Sequence, residues 1–288
     1  SLLKAEYGMK EYRKYWLTRR PIDNIIKEAK IFLDFPTKEV SLEDDDMLYG
    51  KDVDEWLPEF TAVWKREIDM PIIGNVTPNT VVKVSDKTLD TVSQLVSVVQ
   101  MGVQAARTGT LKLFNRQFQN EEQVSRAADR LRSHGIPVKL ELIVGAPVED
   151  PVGDAIDTIK LAQRVGAGTF VVAFPLMVYP GTALQKWCIK NNVPMRDNCT
   201  YECYGGVGSI RFDPDTQKKI TNISKLAAFF VKFNVDERWM RSLIEMDLND
   251  AASKRISEST YYESLRFQLG DKIDQEFEKI LANTKFRY

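Results

Sequence analysis

The chain has 288 residues, 43% of them hydrophobic, and a formal net charge of −1 from 40 basic and 41 acidic side chains. That length suits one large α/β barrel or two smaller domains. The near-neutral balance excludes a global field that draws nucleic acid or an anionic membrane surface, and no apolar run is long enough for a bilayer span. Three cysteines and one histidine argue against a disulfide framework, fit a reducing cytosol and limit any metal site. The expected setting is therefore the cytoplasm.

Residues 1–20 are basic and aromatic and read as a loop. Ser1, in place of an initiating Met, reads as a processing edge. Pro21 opens a helix over 21–32, with apolar residues at 22, 25, 26 and 29. A strand over Glu39–Leu42 comes next and ends in the acidic run Glu43–Asp46. Residues 52–67 suit a helix interrupted by Pro58. Pro71–Val76 is a short strand with polar Asn75 and Thr77 at its end. Ser85 caps a short helix over 86–94.

The apolar run Leu95–Val99 reads as a buried parallel strand. It breaks at Gly102–Gly109, a small and polar stretch where a strand end would face a ligand. Leu111–Arg116 closes this stretch. Asn120 caps a helix over 120–133, which Gly135 ends and Pro137 keeps from resuming. Val138–Gly145 is the next strand, leading to the turn Ala146–Asp150 and a helix over 152–165 ending at Gly166. Thr169–Met177 is the last strand, and Val178–Thr182 turns into a helix over 183–191.

From about residue 195 the alternation stops. Residues 198–211 are irregular. Gly205-Gly206-Val207-Gly208 succeeds no strand and opens no helix, so it reads as a loop rather than a phosphate cradle. Helical patterns then occupy 214–234, 236–247 and 261–282. Five strands alternating with helices imply a parallel sheet or partial barrel over residues 1–194, with a mainly helical extension over 195–288.

Four segments, in order, resemble the radical S-adenosylmethionine (radical SAM) enzymes. Gly102-Val103-Gln104 with Leu111-Lys112-Leu113-Phe114-Asn115-Arg116 resembles the family's fourth-strand segment, although Ala105-Ala106 replace its Ser-Gly. Leu142–Glu149 resembles the fifth-strand segment. Pro175–Leu184 resembles the Tyr-Pro-Gly-Thr segment after the sixth strand. Val40–Asp46 resembles the second-strand end with paired aspartates. The resemblance covers roughly residues 10–190. It implies a partial (β/α)6 TIM-like barrel lacking its first strand. The wording around Tyr179-Pro180-Gly181-Thr182 and the helical tail resemble the cobalamin-linked branch, which includes methyltransferases and ring-forming cyclases.

The family holds a 4Fe–4S cluster on a CxxxCxxC motif, because soft thiolates suit iron–sulfur clusters. Here the cysteines are Cys188, Cys199 and Cys203, all after the sixth-strand segment. Residues 7–26 resemble the loop and first helix that succeed this motif in the family. The chain is therefore expected to start just downstream of it and to be inactive as it stands. In a complete protein the resemblance implies cluster-driven cleavage of S-adenosylmethionine to a 5′-deoxyadenosyl radical. Cobalamin, if used, would bind a domain further upstream.

The resemblance points to Gln104 and Arg116 as contacts to the methionine moiety, whose carboxylate needs charge-assisted partners. Asn75 sits at a strand end, where ligand contacts gather. Glu141 meets either a ribose hydroxyl or Lys139. Gly145 allows close approach of an adenine or of backbone. Met177, Val178 and Tyr179 are candidates for an adenine shelf. The Glu43–Asp46 cluster either orients an amino group, binds a cation or is a solvated turn. Cys199 and Cys203 read as structural or free thiols, with no fourth ligand nearby. No metal ligand and no catalytic residue is assigned. The competing reading is a degenerate barrel that binds a nucleoside or partner without radical chemistry. A barrel lyase ranks last, since Lys139 is mid-strand and only one histidine exists.

Overall fold

A computed structural model describes residues 18–166, 170–196 and 207–248. Helix α1 (Ile22–Ala29) runs into a 3₁₀ turn (Lys30–Asp34) and the short strand β1 (Val40–Ser41). Helix α2 (Val53–Glu67) leads to β2 (Ile72–Val76), then α3 (Pro78–Val81) and α4 (Asp86–Ser93). Strand β3 (Val96–Gln104) is succeeded by α5 (Thr108–Leu113) and α6 (Glu121–Ser133). Next come β4 (Val138–Val144), α7 (Pro151–Val165), β5 (Phe170–Pro175) and α8 (Ala183–Lys190). Helices α9 (Pro214–Lys232) and α10 (Glu237–Ile244) complete the described fold.

The five strands pair in chain order, β1-β2-β3-β4-β5, and every pair is parallel. The result is a TIM-like half-barrel, as the alternation of strand and helix implies. Strand residues alternate between two faces. One face buries Ile72, Val76, Val99, Met101, Val103, Leu140, Leu142, Val144, Val171 and Ala173 in the main core. The helices cover it with Leu57, Phe60 and Trp64 from α2 and Leu131 from α6, and with Ile156 and Ile159 from α7. The opposite face lines the lumen and carries the half-buried positions Asn75, Gln100, Gln104, Lys139 and Glu141.

Local signals explain the helix ends. Ser85, Asn120 and Thr182 each accept a hydrogen bond from the backbone N–H three residues on, as N-caps do. Pro58 lies inside α2 and forfeits one helical hydrogen bond. Its neighbours compensate: Trp56 stacks on Phe60 with centroids 4.8 Å apart, and Phe60 and Trp64 are almost wholly buried.

Two sequence expectations are corrected. The apolar run does not break at Gly102: β3 continues to Gln104, because its polar residues alternate with buried Met101 and Val103. The stretch after it is not all turn, since Thr108–Leu113 forms α5. Helix α3 carries no pattern that sequence alone reveals. Its one turn is held by a capping box between Thr77 and Thr80. Most of the irregular stretch 198–211, the helix expected over 261–282, and Cys199 and Cys203 lie outside the described residues.

Helix α9 packs on β5 and α7. Its Ile220, Ile223, Leu226, Ala227 and Phe230 belong to the main core, and Ser224 donates to the Ala173 carbonyl at 2.7 Å.

The β3–α5 turn is fastened to α7. Thr158 accepts from the Ala106 N–H at 3.1 Å, Arg107 pairs with Asp157 at 2.7 Å, and Thr110 donates to Asp154 Oδ1 at 2.6 Å. Asp154 is fully buried, and its Oδ2 has no hydrogen-bond partner among the described residues. Burial pushes its carboxyl above the ordinary value, against Thr110 and Arg107. A raised folded-state pKa means the folded form holds the proton more tightly. That contribution to stability is full below the unfolded pKa and is lost as pH rises through the folded one. Asp154→Asn carries no ionisation. Its stability relative to the parent chain is therefore expected to rise in urea melts as pH is raised above the ordinary carboxylate range; a flat difference would show that the Asp154 carboxyl is not raised by folding.

Candidate functional site

The lumen face is organised by register. Asn75 lies opposite Gln100, and Gln100 opposite Lys139. These side chains form one directed hydrogen-bond row. Lys139 Nζ donates to Gln100 Oε1 at 2.5 Å, Gln100 Nε2 to Asn75 Oδ1 at 2.9 Å, and Asn75 Nδ2 to the Asp44 carbonyl at 2.8 Å. Lys139 also faces Glu141 at 3.7 Å. Asn75 is therefore a member of this row, and Glu141 sits above it as the partner of Lys139. Sequence reasoning missed Gln100. Its signal was the pattern Gln100-x-Gly102-x-Gln104, which puts three non-apolar positions on one face of an otherwise apolar strand.

Above the row, Gly102 pairs with Glu141. Gln104 has φ 68° and marks a register shift against β4. The left-handed region costs a residue with a side chain ~1–2 kcal/mol. The Gln104 side chain is half-buried and makes no hydrogen bond among the described residues.

Arg116 is brought back to the same strand end by a folded loop. Its N–H donates to the Leu111 carbonyl at 2.7 Å, its carbonyl accepts from the Gln119 N–H at 2.9 Å, and the buried Gln119 amide donates to the Val103 carbonyl. The guanidinium makes no hydrogen bond among the described residues. Burial pulls its pKa down, and Asp45 and Asp46 oppose that by their charge; an arginine stays cationic throughout.

A basin of about 1040 Å³ opens beside these strand ends, with Asp44, Asp45, Asp46, Trp56, Thr77 and Arg116 among its walls. Asp46 is 8% exposed. Thr77 and Thr80 donate to its Oδ2 at 2.8 and 2.7 Å, and the Leu48 N–H donates to Oδ1 at 3.0 Å. Burial outweighs these bonds and raises its pKa. The rest of the acidic run is more open: Glu43, Asp44 and Asp45 are exposed. Arg19, also missed from sequence, lies 4.6 Å over Trp56 and donates to the Met47 and Tyr49 carbonyls.

Met177, Val178 and Tyr179 come after β5, two strands along the sheet from β3. Ser209 pins this segment: its N–H donates to the Leu176 carbonyl, and its Oγ accepts from the Val178 N–H at 2.8 Å. Tyr179 is 55% exposed. Gly145 has φ 79°, and a side chain there would meet Ile220 at 3.0 Å and Phe212 at 3.5 Å. Its close approach is to protein, not to the lumen. The structure thus groups Asn75, Gln104 and Glu141 on one face, with Arg116 at the same strand end.

An iron–sulfur cluster needs several thiolates. Among the described residues the cysteine is Cys188 on α8, buried with its thiol pushed up, and no group of three metal-ligating side chains converges. The described residues therefore do not fit such a cluster.

No family model and no curated protein matches the chain. Among solved structures it is similar to TsrM from Kitasatospora setae, a radical S-adenosylmethionine methyltransferase with tryptophan and a SAM analogue bound. That overlap has 13% identity and a TM-score of 0.50, and covers 63% of this chain and 36% of the other. The chain is also similar to coproporphyrinogen III oxidase (HemN) of Escherichia coli, a radical SAM enzyme, with 18% identity and a TM-score of 0.43 over 53% of this chain and 35% of that one. The chain thus spans about a third of the length of these proteins.

The positive φ at Gln104 yields a test. Gln104→Gly relieves the backbone at the cost of a more flexible unfolded chain, so stability is expected to hold or rise by up to ~1 kcal/mol in urea unfolding. A clear loss of stability would mean the kink is not strained. At these identities the likeness to known structures is one of fold: a TIM-like half-barrel of five parallel strands.

Proposed function

We infer that this chain is the S-adenosylmethionine-binding barrel of a radical SAM enzyme. The observation that supports this best is the polarity of the lumen. Two polar side chains without hydrogen-bond partners among the described residues, Gln104 and Arg116, stand at the β3 end. Glu141 lies midway, and Met177, Val178 and Tyr179 stand at the β5 end. S-adenosylmethionine has the same order of chemistry: a zwitterionic amino acid, a ribose and an apolar base. In this reading Arg116 receives the carboxylate with charge-assisted bonds, and Gln104 orients it. Glu141, held by Lys139, accepts from a ribose hydroxyl, and the β5 end shelters the adenine. The cluster that such chemistry requires has no fit among the described residues. The cobalamin-linked branch is proposed on the resemblance around Pro180-Gly181-Thr182, and a small molecule is the proposed substrate.

Calorimetric titration of the full chain with S-adenosylmethionine tests this. Saturable binding is expected, weakened about tenfold or more in Arg116→Ala, the worth of a hydrogen bond to a charged group. No binding, or equal binding by the variant, overturns the reading. The complete native reading frame, reconstituted anaerobically with iron and sulfide, is expected to release 5′-deoxyadenosine. Binding without that product would instead support a nucleoside-binding module.

A further inference from the structure

We propose that Gly102 is a positioning residue: its missing side chain is the seat that holds the Gln104 amide over the lumen. This rests on the S-adenosylmethionine reading and deepens it.

The left-handed backbone at Gln104 and the register shift beside it turn this side chain back along its own strand. Its Nε2 lies 2.7 Å from where a Cβ on residue 102 would stand. No real side chain tolerates that approach, so any substituent at 102 displaces the amide. Gln100, two residues earlier on the same face, has both ends of its amide engaged, by Lys139 and Asn75. Gln104 has neither end engaged among the described residues. One glutamine is used by the fold; the other occupies the space a side chain at 102 would fill and keeps its donors and acceptor free of hydrogen bonds among the described residues. A ligand that meets it carries a group able to accept and donate at one point, such as an amino-acid carboxylate beside its ammonium.

The substitution that tests this is mild for the fold. Gly102 has no left-handed φ, and a Cβ there would meet only the flexible end of Gln104. Gly102→Ala, Gln104→Ala and the double variant are compared with the parent chain. Gly102→Ala is expected to keep the parent's melting temperature and to weaken S-adenosylmethionine binding roughly tenfold, about as much as Gln104→Ala. The double variant is expected to bind no worse than Gln104→Ala, because both changes remove the same contact. Unchanged affinity in Gly102→Ala, or losses that add, overturn the proposal.

A second readout needs no ligand. The side-chain amide resonance of Gln104 in the free protein is expected to move in Gly102→Ala, while that of Gln100 stays. An unmoved Gln104 amide overturns the proposal. A parent chain that fails to bind S-adenosylmethionine sinks the functional reading, and the resonance then decides this inference separately.

Discussion

The polar row from Lys139 through Gln100 and Asn75 to the Asp44 carbonyl is the constraint around which the lumen is built. Polar groups on the inner face of a sheet cost ~1–3 kcal/mol each if left unpaired away from water. Here each amide oxygen accepts from the strand on one side, the Gln100 nitrogen donates to the strand on the other, and the Asn75 nitrogen donates to the loop after β1. Because every donor points toward β1, neither amide can flip without breaking two bonds. Parallel register makes this possible, since Asn75, Gln100 and Lys139 are direct neighbours across three strands. The row therefore reinforces the register that places Gly102, Glu141 and Gln104 above it.

The site above that floor is built differently. Gln104 sits in a left-handed backbone, and neither its amide nor the Arg116 guanidinium is satisfied among the described residues. Such features lower stability, and they gather where a ligand completes the hydrogen bonding. The scaffold beneath compensates. Thr158, Asp157 and Asp154 of α7 hold the turn after β3, and Gln119 ties the Arg116 loop to the Val103 carbonyl. Loop residues can then be placed as firmly as strand residues.

Much of the fold was legible because its signals are local. Alternating apolar runs gave the strands, and Ser85, Asn120 and Thr182 marked helix starts that the structure reproduces. What escaped was short or non-local. Helix α5 has six residues and α3 has four, too few for a period to show. Helix α3 depends on Asp46, 34 residues from Thr80 in sequence. Gln100, just past the apolar run Leu95–Val99, takes its role only from register, which sets it between Asn75 and Lys139. At Gly145 sequence left open an approach by adenine or by backbone, because it does not reveal that Ile220 of α9 lies beside it. Gln104 and Arg116 came from the family resemblance; their lack of partners among the described residues is visible only in three dimensions.

The acidic run next to Arg116 explains how a partly buried cation is kept available. A nearby carboxylate would ordinarily close on a guanidinium in a bidentate pair and occupy its donors. Asp46 is prevented from doing so. One of its oxygens takes two threonine hydroxyls from the start of α3 and the other takes the Leu48 N–H, so both oxygens are already engaged. Its charge and that of Asp45 still reach Arg116 and offset the penalty of burial. Electrostatic support is thus separated from hydrogen-bond capture. The guanidinium stands at the strand end beside two negative charges, Asp46 fixed by its hydrogen bonds and Asp45 exposed. Its planar array of donors has no hydrogen-bond partner among the described residues and lines a basin whose walls also carry the exposed carboxylates of Asp44 and Asp45.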